Sequence, residues 1–514
     1  FLNGRWKIRL PDGANHSTEA RTGFGTEYFP FSKLVNAAFT NQTVKIRRKD
    51  SDGNEYVDTE ATDEANARIG DIRTKFGEWL WSDPERRASL DAEYNESRNA
   101  YATPKYDGSF LSFDGMALSL GRGPFNLRQH QVNAIWRALV NRRSLNAHEV
   151  GTAKTFTMGG IAVESRRYGI AKKPVLLAHN ANSASVAAEI QMMYPAAKVL
   201  YIDNLDKDSI AVRMRQIAND DWDTIVMPHS LIDRLSFREE TLMEMAREDI
   251  RALEEEAYSA AEEDGVNLTA EMMNNEDDLK KVRSITAKEL VKARNRIIET
   301  VKKQAMQSSR EGAIPFEDLG IDMVLVDEAH EFKKPPISTR MNMKGLNTQT
   351  SNRSIALQFI TRYIRANNFG GNVHTFTGTP ITNTLTEIFH QMKYVMEDEM
   401  KAAGVDSWDG WFGSFAKEIQ DVELSAAGEY EAINRLAGFI NVPELRRMIG
   451  QYMDVVFADD MPEMQPRKVN GKTLTSADLS EAERAELLNG RTENAADRPY
   501  KKVVNVTSDL TDEQ

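Results

Sequence analysis

The sequence predicts an α/β fold in which a parallel sheet carries a phosphate-binding loop. Five short apolar runs are separated by helical patterns, and strands that alternate with helices are typical of a parallel, doubly wound sheet. A segment close to the phosphate-binding consensus precedes the first run, and an acidic pair follows the fourth. The five runs span residues 175–178, 199–202, 224–227, 324–326 and 373–376.

The composition is typical of a globular protein without membrane spans. The chain has 514 residues, of which 41% are hydrophobic and 28% charged, and this length predicts two or three domains. No apolar run approaches the ~18 residues of a membrane helix. The lack of cysteine excludes disulfides and thiolate zinc sites. Because the net charge is −13, DNA binding requires a local basic surface. The chain starts at Phe1 instead of Met, which predicts a fragment of a longer polypeptide.

Residues 1–120 predict a mixed α/β extension. Turn-forming residues 50–54 between apolar runs predict a β-hairpin. A helix is predicted over residues 63–81, and its end contains Trp79 and Trp81. We interpret these two side chains as core or domain-interface packing in preference to a base-stacking platform.

Residues 147–155 are similar to a phosphate-binding loop that opens a helix. Gly151 supplies conformational freedom in the turn. Lys154 supplies a cation for the β- and γ-phosphates, and Thr155 supplies a hydroxyl for Mg²⁺. A helix that begins here directs the positive end of its dipole at the phosphates.

Two positions of this segment depart from the consensus G-x-x-x-x-G-K-[ST], because His148 and Ala153 stand where the consensus has glycine. If the loop needs a positive φ at Ala153, alanine costs about 1–2 kcal/mol there. From these residues alone, a polar loop that caps a helix remains an alternative to a nucleotide site.

An acidic pair, Asp327 and Glu328, directly follows the apolar run 324–326. The carboxyl ends of buried parallel strands are where such sheets place ligand chemistry. We interpret Asp327 as a ligand of Mg²⁺ and Glu328 as the group that orients the attacking water. A helix N-terminus with acidic residues in its first turn is the alternative, and the phosphate-binding segment upstream favours the catalytic interpretation.

Residues 237–316 interrupt the alternation of strands and helices. They are rich in Glu, Lys, Arg, Ala and Met, which predicts a long helical hairpin or a short coiled coil. We interpret the charges as a solvated face, with an arm that touches DNA or a partner as the alternative. The predicted nucleotide-binding domain covers residues 121–383, residues 384–458 predict a helical extension, and residues 459–514 predict a linker and the start of a second lobe.

Three further stretches add to these motifs. Gln131 lies upstream of the phosphate-binding segment, residues 377–380 read Thr-Gly-Thr-Pro, and residues 441–455 contain Leu-Arg-Arg. With them, residues 125–460 resemble the superfamily 2 helicase-type ATPases of the Swi/Snf-related kind. More narrowly, the chain resembles very large phage proteins that join an N6-adenine DNA methylase to a helicase, some of which are antirestriction factors carried in the virion.

The resemblance implies a RecA-like lobe, the first of two in a DNA-dependent motor, which binds ATP and Mg²⁺. It implies that Gln131 reads the adenine edge. The implied catalytic residues are Lys154, Asp327 and Glu328. The implied nucleotide contacts are Gln131, Gly151, Thr152, Ala153, Lys154 and Thr155, and the implied Mg²⁺ ligands are Thr155 and Asp327.

The same resemblance implies a path from the nucleotide to DNA. Loops that lie along the phosphate backbone are implied to contain Asn180, Ser183, His229 and Ser230. The residues that couple the nucleotide site to these loops are implied to be His330, Thr377 and Thr379.

The resemblance also implies partners. Double-stranded DNA is the expected substrate, and a methylase domain in the same polypeptide or complex is a further expected partner. Full hydrolysis is expected to need an arginine finger from a second RecA-like lobe, which in this family begins near Lys501. The expected location is the cytoplasm of the host cell or the phage virion, without a membrane. The sequence lacks the methylase motif Asn/Asp-Pro-Pro-Tyr/Phe.

Two other functions remain open. Ala153 and the missing second lobe favour a degenerate ATPase lobe that serves as a nucleic-acid-binding or virion structural module, whereas the intact lysine, threonine and acidic pair argue against it. A phosphate-loop ATPase of another kind, such as an AAA-type machine, is disfavoured by Gln131 and by residues 377–380.

Overall fold

The computed structural model describes most of the chain up to residue 457 and short pieces beyond it. The described residues are 8, 10–11, 13–39, 44, 46–49, 55–96, 104–120, 123–203, 207–263, 265–308, 313–333, 350–381, 386–424, 430–457, 461, 468–469 and 472–473.

The described residues form helices and strands in alternation from residue 129 onwards. The strands are β1 Arg47–Lys49, β2 Glu55–Val57, β3 Ser119–Leu120, β4 Gly123–Pro124, β5 Arg143–His148, β6 Pro174–Ala178, β7 Val199–Tyr201, β8 Thr224–Pro228, β9 Met323–Val326, β10 Val373–Thr377, β11 Ala416–Leu424, β12 Tyr430–Phe439, β13 Met453–Val456, β14 Lys468–Val469 and β15 Lys472–Thr473. The α-helices are α1 Phe31–Phe39, α2 Thr59–Ser82, α3 Pro84–Tyr94, α4 Gln129–Asn141, α5 Lys154–Arg167, α6 Ser183–Met193, α7 Lys207–Asn219, α8 Glu239–Glu263, α9 Ala270–Asn274, α10 Glu276–Lys281, α11 Ile285–Ser308, α12 Phe316–Leu319, α13 Asn352–Asn367, α14 Thr386–Ala402, α15 Trp408–Phe415 and α16 Val442–Gly450.

Seven strands form one parallel sheet in the order β13-β5-β10-β9-β6-β8-β7. The five predicted strands are β6 to β10, so the predicted α/β class with a parallel sheet is confirmed. Parallel neighbours need long crossover connections, and helices supply them here. All seven carboxyl ends lie at one edge of the sheet, where the loops after β5, β6, β8, β9 and β10 meet.

Side chains of the central strands alternate between two apolar cores, one on each face of the sheet. In β6, Val175 and Leu177 belong to the first core, whereas Leu176 and Ala178 belong to the second. This alternation is the period of two of a strand, and burial on both faces explains why the run is apolar throughout. The first core continues into α7, α13, α14 and α15, and the second continues into α4, α5 and α6.

The strand that leads into the candidate phosphate loop, β5, is not predicted by its sequence pattern. It contains Arg143, Ser144, Asn146 and His148, a polar pattern that does not indicate a buried strand. Ser144 Oγ lies 2.9 Å from His374 Nδ1 on the neighbouring strand, and Asn146 Nδ2 donates to Ser144 Oγ at 2.8 Å. Because the fold supplies these partners, the Ser144 hydroxyl and the amide nitrogen of Asn146 are buried with their hydrogen bonds made.

The prediction of a helical extension over residues 384–458 is wrong in part. Helices α14, α15 and α16 are present, but β11 and β12 form an antiparallel hairpin and β13 returns to the edge of the central sheet. Its ladder with β5 satisfies backbone groups that a separate extension would leave to solvent. Apart from Met461, β14 and β15, the predicted linker and second-lobe start over residues 459–514 lie outside the described residues.

The predicted helical insertion is present. Helices α8 and α11 pack along each other, and the short helices α9 and α10 connect them. Leu253, Ala257, Leu290 and Val291 belong to an apolar core that is separate from the two cores of the sheet. No helix in the described part of the chain combines the length and apolar character that crossing a bilayer requires.

The N-terminal region contains the predicted hairpin, formed by β1 and β2, and the predicted helix, α2. Leu34 of α1 and Ile69 of α2 share a small apolar core. Trp79 and Trp81, however, are 53% and 51% exposed, so their interpretation as core residues is wrong, and packing at a domain interface stays a prediction. The guanidinium of Arg86 lies 3.8 Å from the centre of the Trp79 ring, because α3 turns back beside the end of α2.

Candidate nucleotide-binding site

The candidate phosphate loop, residues 149–153, connects the carboxyl end of β5 to the first turn of α5. Gly151 has φ 91° and Ala153 has φ 57°, both in the left-handed region. Because α5 begins at Lys154, its unpaired N–H groups face the loop and favour an anion there. Ala153 thus adopts the positive φ that the glycine of the consensus would favour. The Cβ of alanine makes this conformation unfavourable by about 1–2 kcal/mol.

We expect Ala153→Gly to maintain or raise ATP affinity, because glycine adopts a positive φ without a Cβ penalty. Titration with a fluorescent ATP analogue measures the effect. Gly151→Ala, which places a Cβ at φ 91°, is the opposite control and is expected to lower affinity. A clear loss of affinity in Ala153→Gly would show that the loop depends on the alanine side chain.

Helix α4 holds the loop through two carbonyl groups. Gln131 Nε2 donates to the carbonyl of Ala153 at 3.0 Å, and His130 Nε2 lies 3.1 Å from the carbonyl oxygen of Thr152. The other polar atom of the Gln131 side chain, Oε1, accepts the N–H of Arg128 at 2.8 Å. The structure thus places Gln131 as a buried support of the loop, and its contact with adenine stays a prediction.

Lys154 and the acidic pair converge across one intervening strand. Because β10 separates β5 from β9, the two backbones are about 10 Å apart at the usual strand spacing. The side chains close this gap, since Lys154 Nζ lies 4.0 Å from Glu328 Oε1. Glu328 itself has φ 45°, a left-handed conformation that turns the chain directly after Asp327. The cation and both carboxylates therefore lie at the carboxyl end of β10.

The environment of Asp327 suits a bound cation. Burial raises the pKa of Asp327 to about 6, and the neighbouring Glu328 carboxylate adds to this rise, against the opposing charge of Lys154. A divalent cation beside a buried carboxylate stabilises its charged form. Asp327 and the Thr155 hydroxyl are oxygen donors of the kind that Mg²⁺ prefers, with phosphates and water completing its shell. Within the described residues, no group of three or more His, Asp or Glu side chains forms an all-protein metal site.

The predicted coupling residues are in contact. His330 Nδ1 lies 3.0 Å from Thr377 Oγ1 and 3.3 Å from Glu328 Oε2. The N–H of Thr379 donates to the same hydroxyl at 3.1 Å. A chain of polar contacts therefore leads from the acidic pair to the loop after β10, and its role in coupling stays a prediction.

The four residues predicted to follow DNA come together, but not all of them reach solvent. The N–H of Ser230 donates to Asn180 Oδ1 at 3.1 Å, and Ser183 Oγ donates to the carbonyl of Asn180 at 3.3 Å. Ser183 and His229 are only 1% and 2% exposed, which contradicts direct DNA contact by their side chains in this conformation. His229 packs against the Phe332 ring at 4.8 Å, and burial lowers its pKa to about 4.

Asp454 of β13 is a site residue that no sequence motif predicts. His148 Nε2 lies 2.8 Å from Asp454 Oδ2, and Arg137 Nη2 lies 3.8 Å from Asp454 Oδ1. Burial raises the pKa of Asp454, but its hydrogen bond with His148 and the nearby charges of His148 and Arg137 hold the pKa below its ordinary value. The N–H of Glu149 also donates to the carbonyl of Val456 at 2.9 Å. The edge strand therefore fixes the start of the loop.

We expect Asp454→Ala to lower the free energy of unfolding by about 1–3 kcal/mol, because it leaves Nε2 of the buried His148 without its partner. Denaturant unfolding followed by circular dichroism measures the change. Asp220→Ala, at an exposed position of the same domain, is the control and is expected to have little effect. Equal unfolding free energies for the wild type and Asp454→Ala would contradict this role.

A parallel sheet that brings a lysine-bearing loop beside an acidic pair is the arrangement of a helicase-type α/β domain. The chain belongs to a helicase-domain family, because residues 136–456 match the family profile described as "Probable helicase domain". Residues 2–100 match a second profile, described as a domain of unknown function.

The known proteins that are similar to this chain include a phage protein and a solved ATPase core. Defense against restriction protein B of Escherichia phage P1 is 21% identical in a match 440 residues long that covers 76% of this chain and 18% of that protein. The chain thus spans about a fifth of the length of this relative. Among solved structures, the Sulfolobus solfataricus SWI2/SNF2 ATPase core in complex with dsDNA matches with 11% identity and a TM-score of 0.32, over 67% of this chain and 46% of that one.

Proposed function

We propose that this chain is the ATP-binding lobe of a DNA-dependent ATPase that translocates on duplex DNA. The observation that carries the proposal is the approach of Lys154 Nζ to within 4.0 Å of Glu328 Oε1 at the carboxyl edge of the sheet. A cation and a helix N-terminus bind phosphates, whereas buried carboxylates bind a divalent metal. A nucleoside triphosphate with Mg²⁺ is a ligand that needs both the phosphate-binding groups and the carboxylates.

Each residue then has a defined role in the proposed reaction. Lys154 contacts the β- and γ-phosphates, and the loop around Gly151 surrounds them with N–H donors. Thr155 and Asp327 hold Mg²⁺, which neutralises charge on the phosphate oxygens. Glu328 accepts a hydrogen bond from the attacking water and orients it in line with the bond that breaks. Its left-handed backbone (φ 45°) positions this carboxylate beside Lys154.

The proposed link to DNA runs through the loops at the same edge of the sheet. His330 and Thr377 connect the acidic pair to the loop after β10. Among the four predicted DNA-facing residues, Asn180 is exposed, whereas the Ser230 hydroxyl is buried and the Ser230 N–H donates to Asn180, so Asn180 is the proposed contact with a phosphate backbone. Full turnover is proposed to need an arginine from a second RecA-like lobe, because the transition state spreads negative charge over the γ-phosphate.

The similarity to a phage protein supports a proposal for the kind of protein that contains this lobe and for where it acts. We assign the chain to a large phage protein of the antirestriction kind, which acts in the host cytoplasm or travels in the virion. Because the chain spans 18% of the relative, a methylase or other activity elsewhere in such a protein is a partner of this lobe and not its own function.

A degenerate lobe that binds nucleic acid or builds the virion is the second candidate. The strained φ of 57° at Ala153 favours it, because a loop without its glycine is less suited to close approach of phosphates. The intact Lys154 and acidic pair favour the ATPase.

Nucleotide titration separates these two functions. A fluorescent ATP analogue is titrated into the full chain with Mg²⁺ and with a chelator, and phosphate release is measured with and without duplex DNA. We expect saturable, Mg²⁺-dependent binding that unlabelled ATP displaces. DNA binding without any nucleotide binding would reject the ATPase and support the degenerate lobe.

A further inference from the structure

The helical insertion is a firmly anchored arm. Arg362 of α13 pairs with Asp249 of α8 at 2.7 Å and with Glu397 of α14 at 2.5 Å. Leu242 of α8 and Val301 of α11 belong to the first core of the sheet domain. The rest of the arm has its own apolar core. These contacts fix the orientation of α8 and α11 relative to the sheet.

The two long helices of the arm carry opposite charge. Helix α8 contains ten acidic and two basic residues, a net charge of −8, whereas α11 contains six basic and two acidic residues, a net charge of +4. The whole chain has a net charge of −13. A positive helix on a negative protein is a local surface that a polyanion can approach.

Exposed basic side chains on α11 form a row, the α11 basic face, made of Lys292, Arg296 and Lys303. These three residues are exposed and have no ion-pair partner within the described part of the chain. Spacings of four and seven residues place them on one side of a helix, over about 16 Å of its axis. Glu299 lies on the same side, so the face has a net charge of +2.

Other basic residues of the arm are paired with acids instead. Arg247 lies beside Glu244, Arg251 lies 2.9 Å from Glu255, and Lys280 lies 2.9 Å from Asp277. The arm therefore neutralises some of its cations internally and leaves those of the α11 basic face available.

Helix α11, which carries the basic face, contacts an element next to the loops assigned to DNA. Helix α11 packs against the 3-10 helix His229–Arg234, which follows β8 and contains Ser230. A duplex that contacts Asn180 would therefore pass near α11, the helix that carries the basic face.

We propose that the α11 basic face binds the phosphate backbone of duplex DNA and extends the contact beyond the loops of the sheet. This inference rests on the proposed function, from which it takes the DNA ligand. Duplex DNA carries one charge per about 1.7 Å of its axis, so a face about 16 Å long can contact several phosphates.

Two triple variants of equal charge test this surface. K292Q/R296Q/K303Q removes the basic face, and R247Q/R251Q/K280Q removes three paired cations of the same arm. Affinity for a short fluorescent duplex is measured over a range of salt. In the first variant we expect a loss on the order of 10²-fold at about 0.1 M salt, and a salt slope smaller by up to about 2.7, if all three contact phosphates. The second variant is expected to bind as the wild type does.

A gain of affinity provides a test that misfolding cannot imitate. Glu299→Gln removes the one acidic residue of the face, and we expect it to raise duplex affinity and steepen the salt dependence. Equal affinity and slope in the wild type, K292Q/R296Q/K303Q and Glu299→Gln would overturn the inference. Equal losses in both triple variants would also overturn it, because binding would then depend on net charge alone.

Nucleotide titration on the same proteins separates this inference from the proposed function. None of the substituted residues belongs to the candidate phosphate loop, so ATP-analogue affinity is expected to be unchanged. If substitutions in the α11 basic face leave duplex affinity unchanged and nucleotide binding is normal, the role of the arm in DNA binding is rejected. The proposed ATPase function is then unaffected. Nucleotide binding without any duplex binding by the wild type rejects the arm and the DNA dependence together.

Discussion

Lys154→Ala is expected to lower ATP affinity by about 10- to 100-fold. The change removes a charge-assisted hydrogen bond to phosphate, worth about 1.5–3 kcal/mol, and each 1.4 kcal/mol is tenfold in affinity. The fold should survive, because within the described residues the polar contacts of Lys154 Nζ are few and long, to the carbonyl of His148 at 3.3 Å and to Glu328 at 4.0 Å. Titration with a fluorescent ATP analogue measures the loss.

The matched control is Lys172→Ala, which removes an exposed lysine from the same domain. It is expected to bind nucleotide as the wild type does, and both variants should have nearly the wild-type free energy of unfolding. If Lys154→Ala binds ATP with unchanged affinity, the loop of residues 149–153 is not the phosphate site, and the proposed function fails with it.

The second large effect distinguishes the roles of the neighbouring carboxylates of Asp327 and Glu328. Asp327→Asn is expected to abolish the gain in nucleotide affinity that Mg²⁺ produces, because an amide is a far weaker ligand for a hard cation than a carboxylate. Glu328→Gln is expected to retain this gain and to lower the rate of phosphate release by about 10²- to 10⁴-fold, the usual contribution of one positioned proton acceptor.

These two variants control for each other, since each removes one negative charge from adjacent positions and changes little in volume. Nucleotide binding is measured on this chain with Mg²⁺ and with a chelator, and phosphate release is measured in a single turnover of a longer protein in which a second lobe supplies the arginine. If Asp327→Asn keeps its response to Mg²⁺ while Glu328→Gln loses it, the assigned roles are reversed. If neither variant changes either property, the acidic pair has no part in the reaction.

The strands that the sequence predicts are those whose side chains are apolar on both faces. The run 323–326 packs into two cores, and its burial therefore requires apolar residues at every position. Strand β5 carries the candidate phosphate loop but contains Ser144 and Asn146, whose hydrogen-bond partners come from the neighbouring strand β10 and from each other. A local pattern cannot reveal partners that lie far away in sequence.

In the candidate site, too, local features could be predicted from the sequence, whereas contacts between distant segments could not. Spacing alone predicted Gly151, Lys154 and Thr155, because a phosphate loop is a local structure formed by consecutive residues. The convergence of Lys154 with Glu328 depends on the strand order, in which β10 separates β5 from β9. The exposure of Asn180 and the burial of His229 likewise depend on how the loops after β6 and β8 pack together.

By itself, the sequence determined the α/β class, the phosphate-loop segment, the acidic pair and the helical insertion, because each of these follows from residues that are close in the chain. Only the tertiary structure decided that Ala153 adopts φ 57°, that Gln131 supports the loop, and that Asp454 holds His148 across 306 residues. These features arise from contacts between distant segments. Their free energy depends on burial and on hydrogen-bond partners, which exist only once the sheet has formed.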